Sequence, residues 1–389
     1  MFGNRWQLFR LLGIPIRIDL SWVIIFLLLS WTLVRFFQEA LAEVRQTRPE
    51  AVPEMSPTSY WLLGVGGALV FFGCILLHEM GHAVVARRRG IPIRGITLFL
   101  FGGVAEMEGE PKSPGDEFWV AVAGPLVTVA LIIFFGALWL WLPIALPIHM
   151  LLGYLAVINL LVLVFNMVPA FPLDGGRVLR SILWAASGNL RRATYLAALS
   201  GQGFAWFLIF VGILQFISGN FFGIWFGLIG LFLNMAARGS YQQVLIRQML
   251  EGEKVRNFMT PEPIAVPPHI DLRHWVEDYV YRYHRKVFPV TDDGRVQGIV
   301  STQALAQFPR GEWDQHTVAE VMQPDTKNLT ITPDADALHA LSKMQRSGFS
   351  RLLVMEGDRL VGIISLKDLL RFLDMKMELE QVEGNMSGR

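Results

Sequence analysis

His78-Glu79-Met80-Gly81-His82 sets two imidazoles four residues apart, with a carboxylate beside the first. On a helix, positions i and i+4 lie about 400° apart, so both rings share one face. Two neutral imidazoles in that arrangement suit a Zn2+ ion. A glutamate next to them suits the task of taking a proton from water that the metal activates. The plainer reading is a polar helix end, with Glu79 paired to the Arg87–Arg89 cluster. A hydrolytic zinc site takes three protein ligands and keeps one position open, so a third ligand must come from elsewhere. The best candidate is Asp174, in Asn166-Met-Val-Pro169-Ala-Phe-Pro172-Leu-Asp174-Gly175-Gly176. Two prolines keep that backbone extended, and the paired glycines let it turn sharply. Asp174 also stands where it could cap a helix over 175–187, a role compatible with ligation. Glu106 and Glu108 are rivals, but they fall in a hairpin-like stretch far from an apolar run.

The segments that must position these groups are apolar. Of the 389 residues, 53% are hydrophobic and 17% charged, against roughly 25% charged in ordinary soluble domains. The net charge of +1 excludes a basic nucleic-acid-binding protein, and a single Cys excludes a disulfide framework. Leu20–Val34, Tyr60–Leu77, Phe118–Leu173 and Ala193–Ala237 carry no formal charge. A membrane span needs about 20 mostly apolar residues, so the two long runs hold two spans each. Their breaks fall at 142–147 and 218–220. Six spans result, at about 18–37, 60–86, 117–141, 148–168, 194–217 and 221–237. Arginines gather on one side (Arg5, Arg10, Arg17, Arg87–Arg89, Arg94, Arg177, Arg180, Arg191, Arg192, Arg238 and Arg247). The positive-inside rule makes that side cytoplasmic, together with both termini. The metal motif then lies within the bilayer on its cytoplasmic side, where ionisable residues are costly and mark function.

From about 250 the charges return, and short strands alternate with helices. A shift of 64 residues superposes Val290 on Val354, Arg295 on Arg359, Gly298 on Gly362, Ser301 on Ser365 and Leu305 on Leu369. Two copies imply a pseudo-two-fold module. The fold class is thus a polytopic α-helical membrane domain of six spans (1–240), then a soluble α+β tandem (250–310 and 314–375) and a loose tail (376–389).

The two metal motifs and the six-span plan resemble the site-2 proteases, zinc metalloproteases that cut within the membrane. Phe101-Gly102-Gly103-Val104-Ala105 and Ala123-Gly124-Pro125 are similar to family segments. The resemblance covers about 1–237. It implies that His78, His82 and Asp174 bind one zinc and that Glu79 activates water. It also implies that Asn166 helps to hold the substrate or the tetrahedral intermediate. Thr128 departs from the pattern, where the family often has Asn. The repeat resembles a pair of cystathionine-β-synthase-type (CBS) domains. That resemblance implies adenine-nucleotide binding, with Ser301 and Ser365 on phosphate and Asp368 on ribose, and dimerisation through the pair. Ala304 stands at the repeat equivalent of Asp368, so one ribose site is intact. For Ser365 and Asp368 the simpler alternative is a helix cap after a strand.

A peptide bond inside a helix is shielded, so a membrane-embedded substrate must be partly unwound. The stretch 91–110 alternates and turns at Gly102-Gly103, which reads as a hairpin whose edge could pair with an extended substrate; a plain membrane-surface hairpin is the alternative. Cys74 and His149 read as packing and interfacial residues, and Asp19 as the cap of the first span. The expected activity is intramembrane endoproteolysis of membrane-protein substrates in the plasma membrane, with nucleotide sensing by the CBS pair. The rival from another class is a non-catalytic sensor or transporter gated by that pair.

Overall fold

The computed structural model of the chain describes residues 5–47, 55–107, 109–324, 329–372 and 375–376. Glu108 and the tail beyond 376 lie outside them. The described chain divides into two units, Met1–Gln242 and Gln243–Arg389.

Unit 1 opens with strands β1 (Arg5–Leu11) and β2 (Ile14–Asp19), then runs into α1 (Leu20–Thr47). Asp19 ends β2 and caps α1. Its Oδ1 accepts from the Ser21 amide at 3.0 Å and the Ser21 hydroxyl at 2.6 Å. Those two bonds favour the ionised carboxyl and hold it below the usual aspartate range. Helix α2 (Pro57–Arg88) starts from a Ser56 cap with proline in the first turn. Next come β3 (Ile93–Phe99), β4 (Gly102–Met107), α3 (Pro114–Trp141) and α4 (Leu146–Asn166). The unit continues with α5 (Asp174–Ser187), α6 (Leu190–Ile217) and α7 (Gly223–Leu250), which crosses the boundary between units.

Five of these helices (α1, α2, α3, α4 and α6) are long and apolar enough to cross a membrane. Large apolar side chains on them face outward, such as Ile24, Trp31, Leu126, Ile133 and Phe210. Lipid, not water, suits such a surface. Asn234 and Arg238 interrupt the apolar run of α7.

The hairpin expected at 91–110 is β3–β4, but it belongs to a larger sheet of order β1-β2-β3-β4, in which β2 and β3 run parallel. Ile14, Ile16 and Ile96 on its inner face pack on Met80 and Ala83 of α2. The sheet therefore lies against the metal-motif helix, with β4 at its free edge. Glu106 on that strand pairs with Arg5 at 2.5 Å and Arg17 at 3.5 Å, and takes the Thr97 hydroxyl at 3.0 Å. It ties the sheet together and points away from a metal-ligand role.

Unit 2 contains β5 (Thr260–Pro261), α8 (Leu272–His274) with a π-helical continuation Trp275–Tyr281, β6 (Val287–Asp292) and β7 (Arg295–Ser301). These are followed by α9 (Val318–Val321), β8 (Thr330–Ile331), α10 (Ala337–Ser347), β9 (Arg351–Glu356) and β10 (Arg359–Ser365). The sheet runs β6-β7-β10-β9-β8. Arg295 and Arg359, equivalent under the 64-residue shift, face each other where the two central strands meet antiparallel. The pseudo-two-fold axis read from the sequence passes between them. Each copy has its own core, around Trp275 and Phe288 in the first and around Leu352 and Ile364 in the second.

Candidate metal centre

Helix α2 brings His78 and His82 to one face, as their spacing requires. Both side chains are buried, at 5% and 4% exposure. Their ring centroids are 4.8 Å apart and nearly perpendicular. Asp174 reaches them from the start of α5. Its Oδ2 lies 3.1 Å from His78 Nε2, its Oδ1 3.2 Å from His82 Nε2, and the two Nε2 atoms are 3.2 Å apart. Zinc bonds of about 2.05 Å at tetrahedral angles put ligand atoms roughly 3.3 Å from one another. The triangle formed by the three groups has that size. Among the described residues these are the three His, Cys, Asp or Glu side chains that gather within metal-holding distance.

The rings are held from behind. His82 Nδ1 lies 2.6 Å from the Val120 carbonyl, which can only accept. That nitrogen therefore carries the hydrogen, and Nε2 presents its lone pair to the centre. His78 Nδ1 lies 2.8 Å from the Thr128 hydroxyl. Two imidazoles and a carboxylate, with Nε2 atoms turned inward and Nδ1 atoms bonded outward, fit the donor chemistry of a zinc ion.

Val120, Gly124 and Thr128 form one stripe of α3 at four-residue spacing, and that stripe is the wall of the site. Gly124 leaves the space the rings use. A methyl group there would stand 2.2 Å from His82 Nε2 and 2.7 Å from His78 Nε2. The two helices can approach this closely because α2 has Gly81 at the crossing, where a methyl group would stand 2.8 Å from the Ala123 carbonyl.

Asp174 is not the cap of α5. Leu173 holds that place without a side-chain bond, and Asp174 is the first helical residue, its carboxylate committed to the histidines. The turn from α4 into α5 packs backbone on backbone. A side chain on Gly176 would strike the Phe171 amide at 2.2 Å, so the two glycines that close the motif are required by contact. Asn166 ends α4, half-buried, at the start of this turn. Glu79 is half-buried beside His78 and lies under β4. A methyl group on Gly103 would stand 2.6 Å from its Cγ. Gly103 thus places the edge strand directly over Glu79, with Gly102 beside it at the start of β4.

Sequence reasoning missed the anchor beneath the site. Glu117, in the first turn of α3, is fully buried and takes Arg177 Nε at 3.1 Å and Arg180 at 2.7 Å from α5. The Arg180 guanidinium also lies over the Phe171 ring at 4.9 Å. The helix that wedges the histidines and the helix that supplies Asp174 are therefore joined by a buried ion cluster. The arginines had been legible only as markers of the cytoplasmic side. Cys74 packs among Phe135, Leu152 and Leu155, and His149 lies beside Trp139, both away from the three converging groups.

In unit 2, Asp368 Oδ2 accepts from the Ser365 amide at 3.0 Å and its hydroxyl at 2.5 Å, while the Ser365 hydroxyl receives the Asp368 amide at 3.2 Å. The pair closes the start of the helical turn 366–372. Ser301, preceding Ala304 in the first copy, makes no side-chain cap bond, and a 3-10 turn follows it.

Comparison with known proteins matches the site and the repeat. The CBS domain model matches residues 255–311 and 318–374, and the model of peptidase family M50 matches 66–145 and 142–210. A Mycobacterium tuberculosis protein named "Putative zinc metalloprotease Rip3" is 34% identical over 372 residues, spanning 94% of this chain and 92% of its own. The chain belongs to peptidase family M50. "Zinc metalloprotease MJ0392" of Methanocaldococcus jannaschii, 29% identical over 377 residues, spans 96% of this M50 chain and 98% of itself. A solved site-2 protease from the same organism is 28% identical and covers 61% of this chain and 95% of its own, with a TM-score of 0.42. This M50 protein is a zinc metalloendopeptidase and a multi-pass membrane protein with tandem CBS domains.

Proposed function

We propose that this M50 protein cuts membrane-spanning segments of other proteins. In this reading His78, His82 and Asp174 hold one zinc, and Glu79 is the general base. The observation that carries it is the convergence of the three ligand atoms at 3.1–3.2 Å inside a helix bundle that presents apolar side chains outward. When bound, zinc acidifies water and polarises a carbonyl oxygen. Glu79 takes the proton of the attacking water and delivers it to the leaving amine as the peptide C–N bond breaks. Asn166, at the mouth of the α4–α5 turn, donates its amide to the substrate carbonyl region. Gly102 and Gly103 on β4 leave the strand edge free of side chains, so an unwound substrate adds as an extended strand and its scissile bond is presented above Glu79.

Helix α7 completes the bundle as a sixth span, and the arginine bias sets both termini in the cytoplasm of a plasma-membrane protein. Catalysis then occurs on the cytoplasmic side of the bilayer, and the CBS pair is cytoplasmic. There it binds one adenine nucleotide, with Ser301 and Ser365 near phosphate and Asp368 on the ribose, and joins two chains. Two features support a single ribose site. Asp368 is present while Ala304 replaces its counterpart, and only the second copy has the Ser365–Asp368 pair. The test is cleavage of a model transmembrane substrate by the purified full-length protein. Activity should vanish on chelation and return with zinc; cleavage that survives full metal removal would refute the reading.

A further inference from the structure

Among the described residues, Thr128 is the one polar side chain that touches a metal-site histidine without converging on the site itself. It is buried, at 1% exposure, and its hydroxyl lies 2.8 Å from His78 Nδ1. The same hydroxyl lies 3.4 Å from the carbonyl of Gly124, one turn back on α3. A hydroxyl carries one hydrogen and two lone pairs. With its hydrogen turned to the Gly124 carbonyl, it offers His78 Nδ1 an acceptor. His78 then carries its hydrogen on Nδ1 and faces inward with a bare Nε2.

The contrast with His82 makes the residue necessary. His82 Nδ1 meets a backbone carbonyl, Val120, which no substitution removes. His78 sits one turn earlier on α2 and meets the same α3 stripe at Thr128, one turn beyond Gly124 on the side away from Val120. There the ring is met by a side chain. The two histidines are therefore held by different kinds of partner, and only one of them is exposed to mutation. We propose that Thr128 is a positioning residue for the metal centre. It accepts the Nδ1–H of His78, fixing the tautomer and ring angle that direct Nε2 at the ion. The proposal rests on the ligand set given above.

The expected effect follows from what replaces the hydroxyl. Valine has the same shape and no acceptor, so His78 Nδ1–H is left buried and unpaired, and the ring no longer has a reason to keep that tautomer. Loss of such an outer partner typically weakens metal binding about ten- to a hundredfold. Serine keeps the oxygen and loses only a methyl group. Asparagine offers a carbonyl oxygen that accepts in the same way.

The experiment is zinc competition titration of the full-length protein in detergent, with a chelator of known affinity. Wild type, Thr128→Val, Thr128→Ser, Thr128→Asn and His78→Ala are compared, and the melting temperature of each metal-free protein is recorded. Zinc affinity should fall about ten- to a hundredfold in Thr128→Val. It should stay within about threefold of wild type in Thr128→Ser, and the metal-free melting temperatures of the two should agree. Equal zinc affinity in Thr128→Val and wild type would overturn the proposal. So would equal losses in the valine and serine variants, because the methyl group and not the oxygen would then matter. If Thr128→Val does not fold, Thr128→Asn decides: retained affinity supports an acceptor role, and loss contradicts it. His78→Ala separates the two levels. If it keeps wild-type zinc, the ligand set fails, whatever Thr128 does.

Discussion

The metal centre of the membrane unit and the Ser365–Asp368 turn of the CBS unit both place an aspartate in the first turn of a helix. They spend their polar atoms differently. At Ser365 and Asp368 the side chains and amides satisfy each other within four residues. In the membrane unit the bonds run outward, from His82 to Val120 and from His78 to Thr128, and the remaining donor atoms of three residues converge. Self-satisfied polar groups do not require a ligand, whereas convergent ones repel or compete unless a cation gathers them. The contrast argues for a resident metal in the first region. In the second it shows a helix-closing pair whose ligand role depends on displacing or sharing those bonds.

The sharpest way to break the contrast is to remove chemistry without removing a ligand. Glu79→Gln keeps the shape and polarity beside His78 but cannot take a proton. Proteolysis of a model transmembrane substrate should fall by at least about two orders of magnitude, the scale of a general base, while zinc content stays at the wild-type level. Activity near wild type would remove Glu79 from the mechanism.

Closing the wall of the site comes next. Gly124→Ala puts a methyl group 2.2 Å from His82 Nε2. Zinc affinity and proteolysis should fall together, and elemental analysis of the purified variant reads the loss directly. An alanine variant with full zinc would mean that α3 does not form that wall.

Stability should distinguish the two units. Glu117→Gln strips the countercharge from two guanidinium groups, with Glu117 itself fully buried. Removing one partner of a buried ion pair costs about 3–5 kcal/mol, and denaturant unfolding followed in the membrane unit should show it. Asp368→Ala removes the two bonds that its half-buried carboxylate takes from Ser365 at a helix start, so the CBS unit should lose only about 1 kcal/mol. Ser301→Ala should cost less again, because Ser301 makes no cap bond. Equal losses at Asp368 and Ser301 would contradict the asymmetry between the copies.

Much of this was legible in the sequence, for reasons that differ by region. The helical period alone places His78 and His82 on one face, and uncharged runs of span length mark α1, α2, α3, α4 and α6, five of the six spans expected. The 64-residue shift reveals the repeat because both copies keep their turns and strand ends. What escaped were contacts between distant segments. Strands β1 and β2 are short, and their alternation at Ile14, Ile16 and Ile18 merges into the apolar start of α1. Glu117 and Arg177 are 60 positions apart, and the arginines read equally well as charges on the cytoplasmic side. Thr128 was visible as a departure from the family pattern, but its partner lies 50 residues away in another helix. The choice between capping and ligation for Asp174 also needed coordinates, since both roles place an aspartate at the start of a helix.

The central claim is that His78, His82 and Asp174 form one zinc site, and metal stoichiometry tests it most directly. Wild-type protein purified without added metal should carry about one zinc per chain, as expected for three ligands of these types. Asp174→Ala, prepared in parallel and shown to be folded, should lose most of it. Undiminished zinc in Asp174→Ala would contradict the account, because the third ligand would then lie outside the geometry described.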